Sequence, residues 1–302
     1  MSNVLNCDKF KLNIVLEIIP ASELILNKDG SIYHLNLLPG EIGDYIITVG
    51  DPDRVDAVAK HFDSVRLEKT NREFKTVTGR LGNKSISVIS TGISTDNIDI
   101  FLNELDALVN VDFEKRQVKP EHTSLNIIRI GTSGTIQKEM PLDSFLLSHF
   151  AIGFDGLFNF YPEVAEIESQ LAKEVKQAFS NFQPFVFEMD HDLGKHFSAS
   201  FLFGITATLG GFYAPQGRAI RLSRGPHNWM QDLCSFDTNG RNITNIEMET
   251  AGIYGLSKML GHRAISLNAI LANRITGEFS KNPQKTINDL IVKSLSIVDG
   301  IN

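Results

Sequence analysis

Cysteine is almost missing from this chain: Cys7 and Cys234 stand far apart, and neither sits in a metal-ligand spacing. That excludes a disulfide-stapled fold and a cysteine-held zinc module, and it suits two free thiols in a reducing cytoplasm. Long apolar runs are missing too. The opening "MSNVLNCDKFKLNIVLEIIP" lacks a basic stretch followed by a long apolar core, and no run reaches membrane-spanning length. A cytoplasmic protein with no membrane partner is expected. Positive charge is in deficit, with 29 Lys and Arg against 36 Asp and Glu and a formal net charge of −7. A general nucleic-acid binder needs a positive face, so that class is excluded as well. Any anion held by this chain must be held by local arginines and backbone amides. Repeats, low-complexity tracts and Pro/Gly-rich linkers are absent, so nothing marks a domain boundary.

What is there is an ordinary globular composition, 42% hydrophobic and 22% charged over 302 residues, enough for a sizeable core. Residues 1–32 read as an N-terminal extension and 33–302 as one domain. From about residue 44, strand-like runs alternate with helix-like segments. The runs are "YIITVG" (45–50), "SISVISTG" (85–92), "LNIIRIGTSG" (125–134), "FLFGITATLG" (201–210) and "AISLNAIL" (264–271). Several are apolar on both faces, as strands buried in a central sheet are. Helical stripes cover 95–109 (Ile98, Phe101, Leu102, Leu105), 163–179 (Val164, Ile167, Leu171, Val175) and 283–298 (Ile287, Leu290, Ile291, Leu295). The polar stretch 111–123 reads as a loop insertion. The sum predicts an α/β fold in which helices flank a central mixed, largely parallel twisted sheet.

Ligands of such sheets bind beyond the carboxyl ends of the strands. Three of the runs end there in glycine- or hydroxyl-rich turns: Gly50-Asp51-Pro52, Thr91-Gly92 and Gly131-Thr132-Ser133-Gly134. In "RIGTSG" the glycines permit exposed N–H groups, Thr132 and Ser133 add hydroxyls, and Arg129 offers a forked pair of donors. The same residues also suit a plain turn with the arginine paired elsewhere. In "GDPDR", Pro52 suits the first turn of a helix. Arg54 then lies near the helix N-terminus, where the dipole repels a cation and an anion or acidic neighbour is wanted. Asp51 and Asp53 could be that neighbour.

"NIEMETAGIYGLSKMLG" (245–261) places Glu247 and Glu249 about Met248 at the start of an almost uncharged helix. Buried carboxylates are costly unless hydrogen-bonded, so these suit hydroxyl groups of a ligand or, more simply, a helix first turn. In "GGFYAPQGRAIR" (210–221), Gln216 can present donor and acceptor, Arg218 can face a developing negative oxygen, and Phe212 can pack on a flat ring.

Together, "VGDPDRV", "NREFKTVTGRL", "VISTGIS", "RIGTSG", "FYAPQGR" and "EMET" resemble, in order, the nucleoside phosphorylase family, its uridine-cleaving members above all. The match runs from about residue 33 to 275. The resemblance implies reversible phosphorolysis of uridine to uracil and ribose 1-phosphate, with a nucleoside and phosphate as small-molecule partners. No metal or organic cofactor is implied, since phosphate is a co-substrate. Gly50, Arg54, Arg129 and Thr132 would bind phosphate, joined by Arg72 from a neighbouring subunit. His34 would reach across the same interface to the ribose 5′-hydroxyl. Met248 and Glu249 would bind ribose, with Thr91 and Gly92 lining the pocket; Gly134, Phe212, Gln216 and Arg218 would take the base. The catalytic set is Arg218, Gln216, Glu249 and Arg129.

A homodimer with shared sites follows from those roles, with stacking into a hexamer as a further level. Glu73 and Ile93 match two ligands of a monovalent-cation site that some relatives carry. Asn273, followed by Arg274, stands where purine-cleaving relatives place an aspartate. Departures from the family are Ser94-Thr95-Asp96-Asn97, which adds bulk and a negative charge beside the expected pocket, and the 111–123 segment.

Overall fold

The computed structural model describes residues 18–162, 164, 169–224 and 228–301. Cys7, most of the proposed extension and Ile167 of the 163–179 stripe lie outside them. One half of the fold is an open sheet. Strands β1 (Tyr45–Val49), β2 (Ser64–Asn71), β3 (Phe74–Leu81) and β4 (Lys84–Ser90) lie in the order β1-β4-β3-β2, with β1 and β4 parallel. Helix α1 (Pro52–Ala59) and helix α2 (Thr95–Asn110) follow β1 and β4. On α2 the predicted stripe of Ile98, Phe101, Leu102 and Leu105 is fully buried.

The 111–123 segment is more ordered than a loop. Two short strands, β5 (Val111–Asp112) and β6 (Gln117–Val118), make it a hairpin. Its Arg116 donates to the carbonyls of Ile19, Pro20 and Leu24 at 2.5–2.8 Å, so the hairpin clasps the incoming chain. Leu24 and Ile32 of that incoming chain are buried in the main core.

The other half nearly closes on itself. Strand β7 (Asn126–Thr135) pairs with β1, and β8 (Phe145–Gly153) is followed by α3 (Gln170–Ala178), β9 (Phe185–Glu188), α4 (His191–Gly194) and β10 (Leu202–Thr208). After these come α5 (Trp229–Ser235), β11 (Asp237–Thr238), β12 (Arg241–Glu247), α6 (Thr250–Met259), β13 (Arg263–Asn273), β14 (Glu278–Phe279) and α7 (Pro283–Asp299). Strands β12, β10, β8, β13 and β7 pair in that sequence, and β12 pairs back on β7 through Ile246–Gly134 and Asn245–Thr135. The sheet is therefore mixed, as expected, but it is curled into a ring at one end.

The helix read at 245–261 begins later. Residues 241–247 are strand β12, because Ile243 and Ile246 pack into a second core beside Trp229 and Leu233. Residues 250–257 of α6 are buried throughout. Among the described residues no helix is long and apolar enough to cross a membrane.

Candidate active site

A cavity of about 270 Å³ opens where β1 and β7 end and where β12 gives way to α6. Gly50, Arg54, Arg129, Thr132 and Gly134 line it from β1, α1 and β7. Phe212, Gln216 and Arg218 line it from the loop after β10, and Met248 and Glu249 from the turn before α6. Nearly all the sequence-predicted pocket residues of a single chain thus converge. Thr91 does not: it is buried and its hydroxyl donates to the Val49 and Gly92 carbonyls rather than facing the cavity. Ile93 lines the cavity instead, 63% exposed.

At one end, Asp51 caps α1 by accepting from the Asp53 N–H at 2.9 Å. Arg54 follows in the first helical turn, its pKa drawn down by burial and then by the nearby Arg129 cation. Two guanidinium groups crowded this way favour an anion between them. Glycine at 50 is not forced by the fold, since an added Cβ would meet only the Gly92 carbonyl oxygen at 3.5 Å. Glycine at 131 is forced. The Arg129 guanidinium curls over it, and a Cβ there would lie 1.9 Å from Nη1.

Arg129 is buried and held from all sides. Nη2 lies 2.6 Å from Glu249 Oε2 and 3.0 Å from Glu247 Oε2, and Nη1 donates to Asn268 Oδ1 at 2.9 Å. Burial alone would lower its pKa, but the Glu247 and Glu249 carboxylates outweigh that and hold it above its ordinary value. Glu249 is pushed up by burial and by Glu247, against the pull of Arg129. We take Arg129 as charged and Glu249 as a carboxylate whose proton affinity is raised.

Asn268 also donates to Ser148, Ser148 pairs with Thr206, Thr206 donates to Asn245, and Asn245 donates to Ser133. This buried chain runs through the curled end of the sheet and ties Arg129 to the far side of its own strand. Such networks are rigid when fully satisfied.

Glu247 is the residue that sequence reasoning undervalued. It accepts from Thr208 Oγ1, Glu249 N, Thr250 N and Thr250 Oγ1 at 2.6–3.2 Å. It therefore fixes the backbone that carries Glu249 while it pairs with Arg129. Glu249 has its other oxygen on the Ser94 N–H at 2.9 Å. Ser94 supplies a backbone donor at a positive φ of 83°, and Asp96 points outward from the first turn of α2.

At the opposite end, Arg218 Nη1 donates to Gln216 Oε1 at 2.6 Å and to the Phe212 carbonyl at 2.7 Å. Its guanidinium stacks 3.7 Å from the Phe212 ring centroid. Burial and the charge of Arg274 lower the pKa of Arg218. Arg274, not Asn273, belongs to this end. Asn273 spends its amide on the turn, bonding Gln137, Lys138, Ile275 and Thr276. Arg274 packs by Gly134 and donates to the Gln216 carbonyl at 3.1 Å, with Nη1 buried and free of a hydrogen-bond partner. The dipeptide "NR" at a strand end was the available signal, and the weight belonged on its second residue.

His34 and Arg72 lie together but outside this cavity. His34 Nδ1 bonds Glu104 Oε1 at 2.6 Å, Asn71 donates to the His34 carbonyl, and Arg72 sits over the Tyr33 ring. Glu73 lies beside Gly92 and Asn97.

A family model described as the phosphorylase superfamily matches residues 44–301. The chain belongs to that superfamily. A uridine phosphorylase of Thermococcus kodakarensis is 30% identical over 85% of this chain and 83% of its own length. A purine nucleoside phosphorylase of Listeria monocytogenes is 27% identical over 87% of this chain and 97% of its own. Among solved structures, a Trypanosoma brucei nucleoside phosphorylase described as showing uridine phosphorylase activity superposes with a TM-score of 0.81. It shares 28% identity and covers 91% of this chain and 99% of its own. The α/β architecture is the nucleoside phosphorylase fold.

Proposed function

We propose that the protein is a uridine phosphorylase, a pentosyltransferase that converts uridine and phosphate reversibly to uracil and ribose 1-phosphate. One observation carries the reading. A cationic end, Arg54 and Arg129, and a base-reading end, Gln216 and Arg218 over Phe212, face one cavity with the Glu249 carboxylate between them. Similarity to the uridine phosphorylases of Thermococcus and Trypanosoma brucei supports the choice of substrate.

The chemistry follows from charge. Breaking the C1′–N1 bond leaves the sugar electron-poor and the base electron-rich. Phosphate held by Arg54 and Arg129, with Thr132 and the Gly50 backbone beside it, stabilises the sugar cation and then attacks it. Arg218 and Gln216 hydrogen-bond the uracil edge and stabilise the negative base as it leaves. Glu249 accepts from the 2′- and 3′-hydroxyls and orients the ring, so rate comes from positioning and charge rather than from a covalent intermediate. These steps call for no metal or organic cofactor. Purine cleavage is the second reading, carried by the Listeria relative; a cation at 274 beside the base end argues against it, because protonating a purine ring nitrogen there wants an acid.

The proposal extends to assembly. His34 and Arg72 complete the pocket of a second copy, the first on the ribose 5′-hydroxyl and the second on phosphate, so the active unit is a homodimer at least. A trimer of such dimers is compatible with it, as is a cytoplasmic location. Glu73 and Ile93 are near enough to Gly92 to frame a monovalent cation at that interface. The reading is tested by incubating the protein with uridine, thymidine and inosine, with and without phosphate. Uridine should be cleaved, and only with phosphate; cleavage of inosine alone would transfer the assignment to purines, and no cleavage would leave a binding protein.

A further inference from the structure

We propose that His149, Glu188 and His191 form a binding site for one divalent transition-metal ion, zinc by preference, outside the nucleoside pocket. His149 comes from β8, Glu188 ends β9, and His191 opens α4. The Nε2 atoms of both histidines lie 3.1 Å from the same oxygen, Oε1 of Glu188. The donor atoms of the three side chains all lie within 4.8 Å of one another. Around a tetrahedral zinc with bonds of about 2.0–2.1 Å, adjacent ligand atoms are roughly 3.3 Å apart. An ion therefore enters with small side-chain shifts.

The frame is set before any ion arrives. The Met189 N–H donates to the His149 carbonyl at 3.0 Å, locking β9 to β8 beside the ligands. Asp190 caps α4 by accepting from the Leu193 N–H at 2.7 Å, which fixes the turn that delivers His191. The His149 ring packs 4.2 Å from Phe150 and edge-on to Phe203. Glu188 and His191 also border a separate cleft of about 160 Å³ beside Lys258 and His262. Three protein ligands and an adjoining cleft leave one coordination position for water or a small ligand.

A comparable cluster in the same molecule fails on its chemistry. Asp106, His122 and His262 also converge. There the Leu125 N–H donates to His262 Nδ1 at 3.2 Å, so the neutral ring carries its proton on Nε2, the atom that faces Asp106. That lone pair is not available to a metal. In the His149 cluster each Nε2 faces Glu188 Oε1 as a donor, but no described contact makes either Nδ1 an acceptor, so the proton can move to Nδ1 and free Nε2 for a metal. Its two imidazoles and one carboxylate select zinc, cobalt, nickel or copper over magnesium and calcium, which prefer all-oxygen sites.

The test uses the full chain stripped by a chelator, then titrated with Zn²⁺ against a chromogenic competitor and with Co²⁺ read in the visible. One equivalent should bind, with an intense tetrahedral-type cobalt band. His191→Ala, at a side chain 68% exposed and so safe for folding, should weaken binding more than about 10-fold, the cost that even an outer partner's loss carries. The isosteric Glu188→Gln should do the same, while Cys7→Ser/Cys234→Ser should bind like the parent. Absence of stoichiometric uptake, uptake by both ligand variants as tight as the parent's, or uptake that disappears with the cysteines would overturn the site.

Discussion

Nη2 of Arg129 lies 2.6 Å from Oε2 of Glu249, so the cation assigned to phosphate and the carboxylate assigned to ribose are one buried ion pair. Neither can be altered without disturbing the other. Arg129→Ala should raise the KM for phosphate sharply. It should also destabilise the fold by about 3–5 kcal/mol, the usual cost of leaving buried charge uncompensated, here on Glu247 and Glu249. Phosphate kinetics and denaturant unfolding on the same preparation check both. Unchanged phosphate kinetics would remove Arg129 from the site.

Glu249→Gln keeps the size of the side chain and an acceptor for Ser94, but loses the charge that receives ribose hydroxyls. Hydrogen bonds to charged groups contribute roughly 1.5–3 kcal/mol, so kcat/KM for uridine should fall about 10- to 150-fold. Deoxyuridine, lacking the 2′-hydroxyl, should suffer less. A steady-state comparison of the two nucleosides reads the difference; equal losses would mean that Glu249 acts only through Arg129.

Arg218→Ala should lower kcat about 10²–10³-fold, the range for removing one donor to a developing anion. The KM for phosphate should stay where it is, because Arg218 stands at the other end of the cavity on Phe212. Single-turnover kinetics separate this loss from slower binding.

Much of this site could be read from the chain because its pieces sit at strand ends, where glycine and hydroxyl residues interrupt apolar runs. "VGDPDRV" is such a place; "RIGTSG", read as a turn, is instead the second half of strand β7 paired with β13, and both line the cavity. Strands β2 and β3 escaped that reading because their alternating Lys, Arg and Thr residues show no apolar run. β12 was hidden because Asn245 and Glu247 are polar yet buried in the curled end of the sheet. That curl depends on the pairing of Ile246 with Gly134, a contact between distant segments that no local pattern announces. For the same reason Glu247 reads as a helix-turn acid from the sequence alone.

Asp155 gives a pH prediction. Its Oδ1 accepts from Leu157 N at 3.0 Å, but Oδ2 is buried without a hydrogen-bond partner, and burial raises its pKa. The native state thus holds this proton to higher pH than the unfolded chain does. Stability attributable to it falls as pH rises from the ordinary carboxyl value through the native pKa, and the cost is fully present only above that pKa. Asp155→Asn should raise Tm at pH 7, and the gain should vanish near pH 3. A thermal-melt series across that range measures it.

Shared pockets make a separate prediction. Arg72→Ala and Arg218→Ala should each lose most of the activity on their own, the first for want of the donated cation and the second for want of the base contact. Mixed and re-equilibrated, they should regain up to about a quarter of the parental activity, as expected if each mixed dimer rebuilds one intact site. No recovery on subunit exchange would put Arg72 outside the neighbouring pocket.

The most direct measurement is the product balance of the reaction itself: uracil and ribose 1-phosphate quantified together from uridine as inorganic phosphate is varied. Phosphorolysis predicts equal amounts of the two products and a rate that goes to zero without phosphate. Uracil released with free ribose, at a rate indifferent to phosphate, would contradict it and make Arg54 and Arg129 structural cations rather than the cradle of a nucleophile.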